Sequence, residues 1–330
     1  MNKNFATQIL NSYGISAEIQ YFECVQRLDE LKCVRELFYI ETVDGRYICR
    51  LSNETNYPIP LIERQSFFAM MLYKNGVITA KKLQSNGCFC TEMSISNIPL
   101  KITLEEYLGK DLEDISLDSF FEFGSLLGRI HCVSENNRAK IGKSFISEAI
   151  NNNRTDINRI FNHAIPLFGE SKIKSELASA HDYLIKQTKS YLGRLPCGAV
   201  HGDLGIFNNL IDTVKGIGVI DFNLAADEAY IMDAVITYYS SIHKYAWQKK
   251  YESIGVDQIH KYFWKGYFQE RSLNDLELEC LSTISSLFDG LFYCKYLVDM
   301  WNSGEHDKAK KCLSKAMTCF CKNNKVITLT

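Results

Sequence analysis

Apolar and polar positions alternate loosely from Ala17 to Val25, and a polar connection from Gln26 to Arg35 follows. Leu37 to Glu41 and Arg46 to Leu51 then flank a Val43-Asp44-Gly45 turn, which predicts an antiparallel hairpin. After the Pro58-Ile59-Pro60 break, apolar residues recur at helical spacing from Leu61 to Lys74 and stop at Asn75-Gly76, a good C-terminal cap. Two further strand-like runs, Cys88 to Ile95 and Pro99 to Leu104, complete a β-rich first third. From Ser116 the period changes to that of helices: Phe120, Phe123, Leu127 and Ile130 share a face, with Ser116 or Asp118 placed to cap. The pattern predicts an α+β, two-lobed chain whose front is an antiparallel sheet crossed by one helix and whose larger rear is mostly helical. The boundaries fall at 1–104 for the front lobe, 105–110 for a linker and 111–330 for the rear lobe.

Between Gly198 and Phe222 the helical pattern gives way to short strand-like pieces separated by glycines and acids. His201-Gly202-Asp203 is followed by Asn208 and then by Gly218-Val219-Ile220-Asp221-Phe222. A carboxylate, an amide five positions on and a second carboxylate closing an apolar strand are what phosphoryl transfer from a nucleotide requires: a base for the acceptor hydroxyl and oxygen ligands for Mg2+. Magnesium keeps most of its water, so so sparse a set is adequate.

This string resembles the H-G-D-x-x-x-x-N loop and I-D-F run of the aminoglycoside phosphotransferase and choline kinase family, relatives of the protein kinases. The resemblance implies a bilobal protein-kinase-like fold and an ATP-dependent phosphotransferase with ATP and Mg2+ as cofactors. It makes Asp203 the catalytic base, Asn208 and Asp221 the metal ligands, and His201 and Asp233 the structural supports of the loop. Arg50, closing Tyr47-Ile48-Cys49-Arg50, takes the place of the phosphate-binding cation, and Glu63 that of its partner on the crossing helix. Ile102, Leu104 and Glu105 fall in the stretch whose backbone meets adenine, with Ile48, Leu210 and Ile220 as apolar plates around the base. The chain departs from kinases at 26–35, where no glycine is available for close approach to phosphate and Lys32 is the candidate substitute. His131 reads as a packing histidine.

Composition narrows the partners. A net charge of -2 over 330 residues and a pI near 6.4 leave no basic field for nucleic acid. Lys308, Lys310 and Lys311 read as a solvated helix face. The longest apolar stretches, such as Ala229 to Ile236, are too short for a membrane span. Twelve cysteines, without a doubled C-x-x-C array or an apolar leader at Met1 to Phe5, fit reduced thiols in a cytoplasmic protein.

The expected acceptor is a small-molecule hydroxyl. The ring-rich tail (Tyr238, Tyr239, Tyr245, Trp247, Tyr251, Tyr262, Phe263, Trp264, Tyr267, Phe268) and the acids Asp227, Glu228, Asp289, Asp299 and Glu305 would suit a cationic one, if they are not simply core and solvated surface. Aminoglycosides lead, with choline, ethanolamine, homoserine or sugars as alternatives. A nucleotide-binding pseudokinase acting as an interaction module is the alternative of another class. The oligomeric state is left open.

Overall fold

A computed structural model describes residues 3–30, 33–95, 98–142, 144, 146–151, 156–169, 171–207, 209–246 and 254–321. In chain order the front elements are α1 (Lys3–Ser12), β1 (Ile19–Glu30), β2 (Cys33–Thr42), β3 (Arg46–Ser52), α2 (Ile59–Lys74), β4 (Cys90–Ile95), β5 (Ile98–Glu106) and β6 (Lys110–Asp111). Next come α3 (Leu117–Asn136), α4 (Ile146–Asn151), α5 (Asp156–Ala164), α6 (Ser171–Leu192), β7 (Cys197–Val200), β8 (Leu210–Thr213) and β9 (Gly216–Val219). The rest is β10 (Ala226–Ala229), α7 (Tyr230–Ala246), α8 (Val256–Glu270), α9 (Asp275–Asn302) and α10 (His306–Cys321). The chain forms two compact units: Met1–Glu113, Ala139–Ile141 and Asn208–Ala225 make the first, and Asp114–Arg138, Gly142–Phe207 and Ala226–Thr330 the second.

The first unit is built on a five-stranded antiparallel sheet in the order β1-β2-β3-β5-β4. Strand alternation sorts its residues: Cys49 and Leu51 on β3 and Ile102 and Leu104 on β5 are buried on one face, while Ile48 and Arg50 lie on the other. The buried face is closed by α1, whose Ala6, Ile9 and Leu10 join Phe38, Ile40 and Leu100 in one cluster. The sequence pattern had predicted strands alone here, although Phe5, Ala6, Ile9 and Leu10 recur at i and i+4. The expected helix is α2, entered through Pro58 with a proline in its first turn and left at Asn75-Gly76, where Gly76 has φ 81.

In the polar connection expected at 26–35, residues 26–30 and 33–35 are strand. β1 and β2 stay paired through Arg27↔Glu36, Leu28↔Arg35, Asp29↔Val34 and Glu30↔Cys33, and the residues between the strands, with Lys32, lie outside the described set. Ladder hydrogen bonds need no apolar side chains, so a ribbon projecting beyond a core leaves no hydrophobic signature. A second, three-stranded sheet, β6-β8-β9, is joined to the segment after α2 by the parallel bridge Thr79↔Val219 and by Val219 N–H donating to the Ile78 carbonyl at 2.9 Å.

In the second unit Ser116 caps α3 in a reciprocal capping box with Ser119, and Phe120, Phe123, Leu127 and Ile130 are all buried. Helices α3 and α8 touch backbone to backbone. A Cβ on Gly124 would run into the Phe263 carbonyl oxygen, and one on Gly266 into that of Phe121. The short ribbon β7–β10 leads into the loop 201–207 on one side and into α7 on the other. Among the described residues, no helix is long and apolar enough to cross a membrane.

The cysteines divide by burial. Cys24, Cys88, Cys197 and Cys321 are exposed, whereas burial pushes the Cys49, Cys280 and Cys294 thiols up to about 12. A thiol reagent at neutral pH is therefore expected to label the exposed group in the native protein and to reach Cys49, Cys280 and Cys294 only after denaturation. Peptide mapping of a labelling time course checks this, and native labelling of Cys49 as fast as that of Cys24 would contradict the packing of α1 on the sheet.

Candidate active site

In the second unit, Val200 ends β7 and the chain enters the loop 201–207. His201 is fully buried, Leu204 and Ile206 are 2% and 1% exposed, and Asp203 stands out in solvent. Gly202 turns the chain with φ 80, which a side chain would oppose. Asp203 N–H donates to His201 Nδ1 at 3.4 Å, and Ile206 N–H reaches Ser241 Oγ on α7 at 3.5 Å. Apolar anchors thus hold the backbone while one carboxylate is presented outward, as suits a group that must meet a bound hydroxyl.

Asp233, expected to bond to this loop, instead places Oδ2 3.0 Å from His131 Nε2, with both residues buried. His131 Nδ1 lies 3.0 Å from Tyr267 Oη, and the Tyr267 hydroxyl accepts from Arg271, which also pairs with Glu277. The packing role expected of His131 is part of this buried polar chain linking α3, α7 and α8.

In the first unit, Asn208 lies outside the described residues. Its neighbour Asn209 is 3% exposed; its carbonyl accepts Ile220 N–H at 3.0 Å, and its side-chain Oδ1 is buried with no hydrogen-bond partner. Across from it, β9 delivers Asp221, whose φ of 64 and ψ of 70 put a non-glycine residue in the left-handed region. That conformation costs an L-residue about 1–2 kcal/mol. The turn is held from outside: Phe222 is buried edge-on against Phe68 with centroids 5.9 Å apart, and the Gln65 amide donates to the carbonyls of Asn223 (2.6 Å) and Ala225 (3.0 Å). A strained residue fixed on several sides is a signature of functional positions.

Arg50 Nη2 donates to Asp221 Oδ1 at 3.2 Å. Glu63, its expected partner, accepts Cys90 N–H at 2.6 Å instead. The register supplies the reason: Arg50 and Cys90 both pair with Thr103, from opposite sides of β5, so Glu63 is bound two strands away, about 10 Å in the sheet. Among the described residues, Arg50 and Glu63 form no ion pair with each other.

The adenine stretch is also distributed by the sheet. Ile102 and Leu104 point into the α1 cluster, away from Ile48 and Arg50, and their carbonyls accept Tyr13 Oη (2.9 Å) and Leu83 N–H (2.9 Å). Glu105 and Glu106 extend β5 where a linker was expected, in ion pairs with Lys82 and Lys81 respectively. Leu210 is buried on β8 and Ile220 half-buried beside Asp221. Gln65 was missed, since a lone polar residue on a helix gives no sequence signal.

The donor chemistry of the first unit fits a hard cation. Asp221 offers a carboxylate, the Asn209 amide oxygen lacks a donor, and no cluster of three or more His, Cys, Asp or Glu that could hold a softer metal occurs among the described residues.

A five-stranded antiparallel sheet with one crossing helix, followed by a mostly helical remainder, is a kinase-like architecture. Solved structures share that fold. An amicoumacin kinase in complex with AMP-PNP and Ca2+ superposes with a TM-score of 0.63 at 16% identity, covering 96% of this chain and 93% of that one. A microcompartment-associated aminopropanol kinase gives 0.61 at 18% identity over 96% and 95%. A spectinomycin phosphotransferase in complex with ADP and spectinomycin gives 0.53 at 14% identity over 99% and 97%. No curated protein matches the chain in sequence. The profile of the phosphotransferase enzyme family matches residues 35–268, and the chain belongs to that family. It is a small-molecule phosphotransferase.

Proposed function

We propose that the chain moves the γ-phosphoryl group of ATP onto a hydroxyl of a small molecule, in a reducing, cytoplasmic setting. The observation that carries the reading is the Asp203 carboxylate, held in solvent by a loop anchored through the buried His201, Leu204 and Ile206. Asp203 takes the acceptor's hydroxyl proton. The acceptor oxygen forms the new O–P bond, the bond from the γ-phosphorus to the bridging oxygen breaks, and its electron pair leaves with ADP. Arg50 neutralises phosphate charge, with Ile48 and Ile220 beside it. Asp221 with the amide oxygen of Asn208 or Asn209 would hold Mg2+, which when bound neutralises phosphate charge and orients the nucleotide. In the protein alone Arg50 and Asp221 neutralise each other, so each is presented with its charge balanced until nucleotide separates them.

On this reading 1–104 is the nucleotide-binding part, 105–110 the link and 111–330 the part that supplies base and acceptor site. The interaction-module alternative rested on the glycine-free segment 26–35, whose described residues are paired strand, and neither the fold nor the family match favours it. The likeness to an aminopropanol kinase and to a spectinomycin phosphotransferase brings hydroxylated amines into the set of acceptors to be tried, beside sugars and hydroxy acids.

Purified protein with ATP and Mg2+ is expected to release ADP in an acceptor-dependent manner with at least one compound from a panel of amino alcohols, aminoglycosides, sugars and hydroxy acids. No acceptor-dependent ADP across that panel, together with no thermal shift from Mg-ATP, would overturn the reading.

A further inference from the structure

Most of the groups that would receive a cationic acceptor are committed elsewhere, the exposed Asp299 on α9 being an exception. Tyr238, Phe263, Trp264 and Tyr267 are at most 4% exposed and pack on one another between helices. Asp227 accepts Gly142 N–H at 2.8 Å, and Glu228 is buried under Ser144 and Ser147. Asp289 accepts from His243 (2.8 Å) and Cys319 (3.2 Å), and Glu305 pairs with Lys308. Trp247 and Tyr251 lie outside the described residues.

Cations occupy the ground beside Asp203 instead. Three residues after it, Ile206 is tied to Ser241 on α7, and Lys244 follows Ser241 by three positions on the same helical face. His243 fixes that end of α7 to α9 through Asp289 and through ring contacts with Phe292, Tyr293 and Tyr296, the residues that bracket Lys295. Lys244 is half-buried, and among the described residues neither it nor Lys295 has a carboxylate partner. Burial holds the Lys244 ammonium below the ordinary lysine range, opposed by the Asp203 carboxylate and reinforced by Lys295, so the three charges sense one another. Lys295 also lines a cavity of about 210 Å3 with Arg159 and His163 from α5 and with Asp299. Three basic side chains, Lys295, Arg159 and His163, thus face one carboxylate, Asp299, around that recess.

We infer that the acceptor carries an anionic group, a carboxylate or a phosphate ester, which rests on Lys244 and Lys295 while its hydroxyl meets Asp203. This rests on the phosphotransfer reading and names the substrate class of that site. A half-buried ammonium is costly to keep charged, and with Asp203 its one carboxylate neighbour among the described residues and Lys295 adding a second cation, an anionic substrate supplies further balancing charge. The same cations repel an aminoglycoside or a choline-like head, which is how a site discriminates against the wrong charge.

The test is acceptor kinetics with Mg-ATP. The anionic probes are glycerate, malate, gluconate and glycerol phosphate, and the cationic ones aminopropanol, choline and kanamycin. The carboxylates against the phosphate ester separate the two kinds of anion. Wild type is expected to show a higher kcat/KM for at least one anionic probe than for any cationic one. Lys295→Gln is expected to raise KM for that probe about tenfold or more with a smaller change in kcat, and Lys295→Arg to restore it. Lys295 is exposed, so its variants should fold. Turnover confined to the cationic probes, or an unchanged KM in Lys295→Gln, overturns the inference and leaves the phosphotransfer reading standing. Absence of turnover with every probe, with no thermal shift from Mg-ATP, removes both.

Discussion

Asp203→Ala is expected to lower acceptor phosphorylation by about 10²–10⁴-fold, the range a positioned general base contributes, while the protein melts within a degree or two of wild type. The two halves of that result come from one geometric fact. Asp203 is exposed, so its truncation is expected to fall within the roughly 0.5 kcal/mol typical of surface changes. His201 makes the contrast. It is fully buried two residues away, and His201→Ala opens a cavity under the loop, so its activity loss should come with a lower Tm. Asp203→Asn sharpens the assignment, because the amide keeps shape and polarity but cannot take the proton. Its kcat should fall as in the alanine variant, with nucleotide affinity, read by titration with a nonhydrolysable analogue, little changed. A turnover rate in Asp203→Ala equal to wild type would remove the base role and with it the proposed mechanism.

How much of this was legible in the sequence depends on what kind of force set each feature. Elements held by side-chain burial left their period in the text: β3, α2 and α3 lie where apolar spacing put them, and Ser116 caps where expected. Elements held by backbone pairing alone did not, which is why the ribbon at 26–35 read as a loop and why β5 continued through Glu105 and Glu106. The catalytic string was visible because contiguous residues carry it. Partners chosen across the sheet were not: the register that places Thr103 between Arg50 and Cys90 cannot be read from either strand, so the Arg50–Glu63 pair was expected and the Arg50–Asp221 pair was missed. The acceptor side shows the same division. Rings at helical spacing read more readily as core than as cage, and Tyr238, Phe263, Trp264 and Tyr267 are buried between helices as core residues are. Lys244 and Lys295 are 51 positions apart and acquire meaning only when His243 joins α7 to α9.

Asp221 is where function and stability should separate most clearly. Its left-handed backbone is a conformation that glycine adopts freely, asparagine tolerates and alanine resists. Its ion pair with Arg50 is half-exposed and its bond to Asn223 N–H is long at 3.5 Å, contacts of the class worth about 0–1 kcal/mol each. Relief of strain in Asp221→Gly is therefore expected to match or exceed the lost contacts. Asp221→Ala keeps the strain and loses the contacts, for a cost of about 1 kcal/mol. The expected order of Tm is glycine at or above wild type, asparagine close to wild type, alanine lowest. Activity should follow a different order. All three variants lose the carboxylate that would hold the cation and balance Arg50, and each should fall by about 10²–10³-fold or more, the scale of removing one preorganised electrostatic partner. Asp221→Asn retains an oxygen donor and should recover in part when Mg2+ is raised, whereas Asp221→Gly should not. A strained residue kept at the expense of stability has to be kept for what its side chain does. An active Asp221→Gly protein, or an alanine variant that melts above the glycine one, would break that link between the backbone of residue 221 and the chemistry proposed for it.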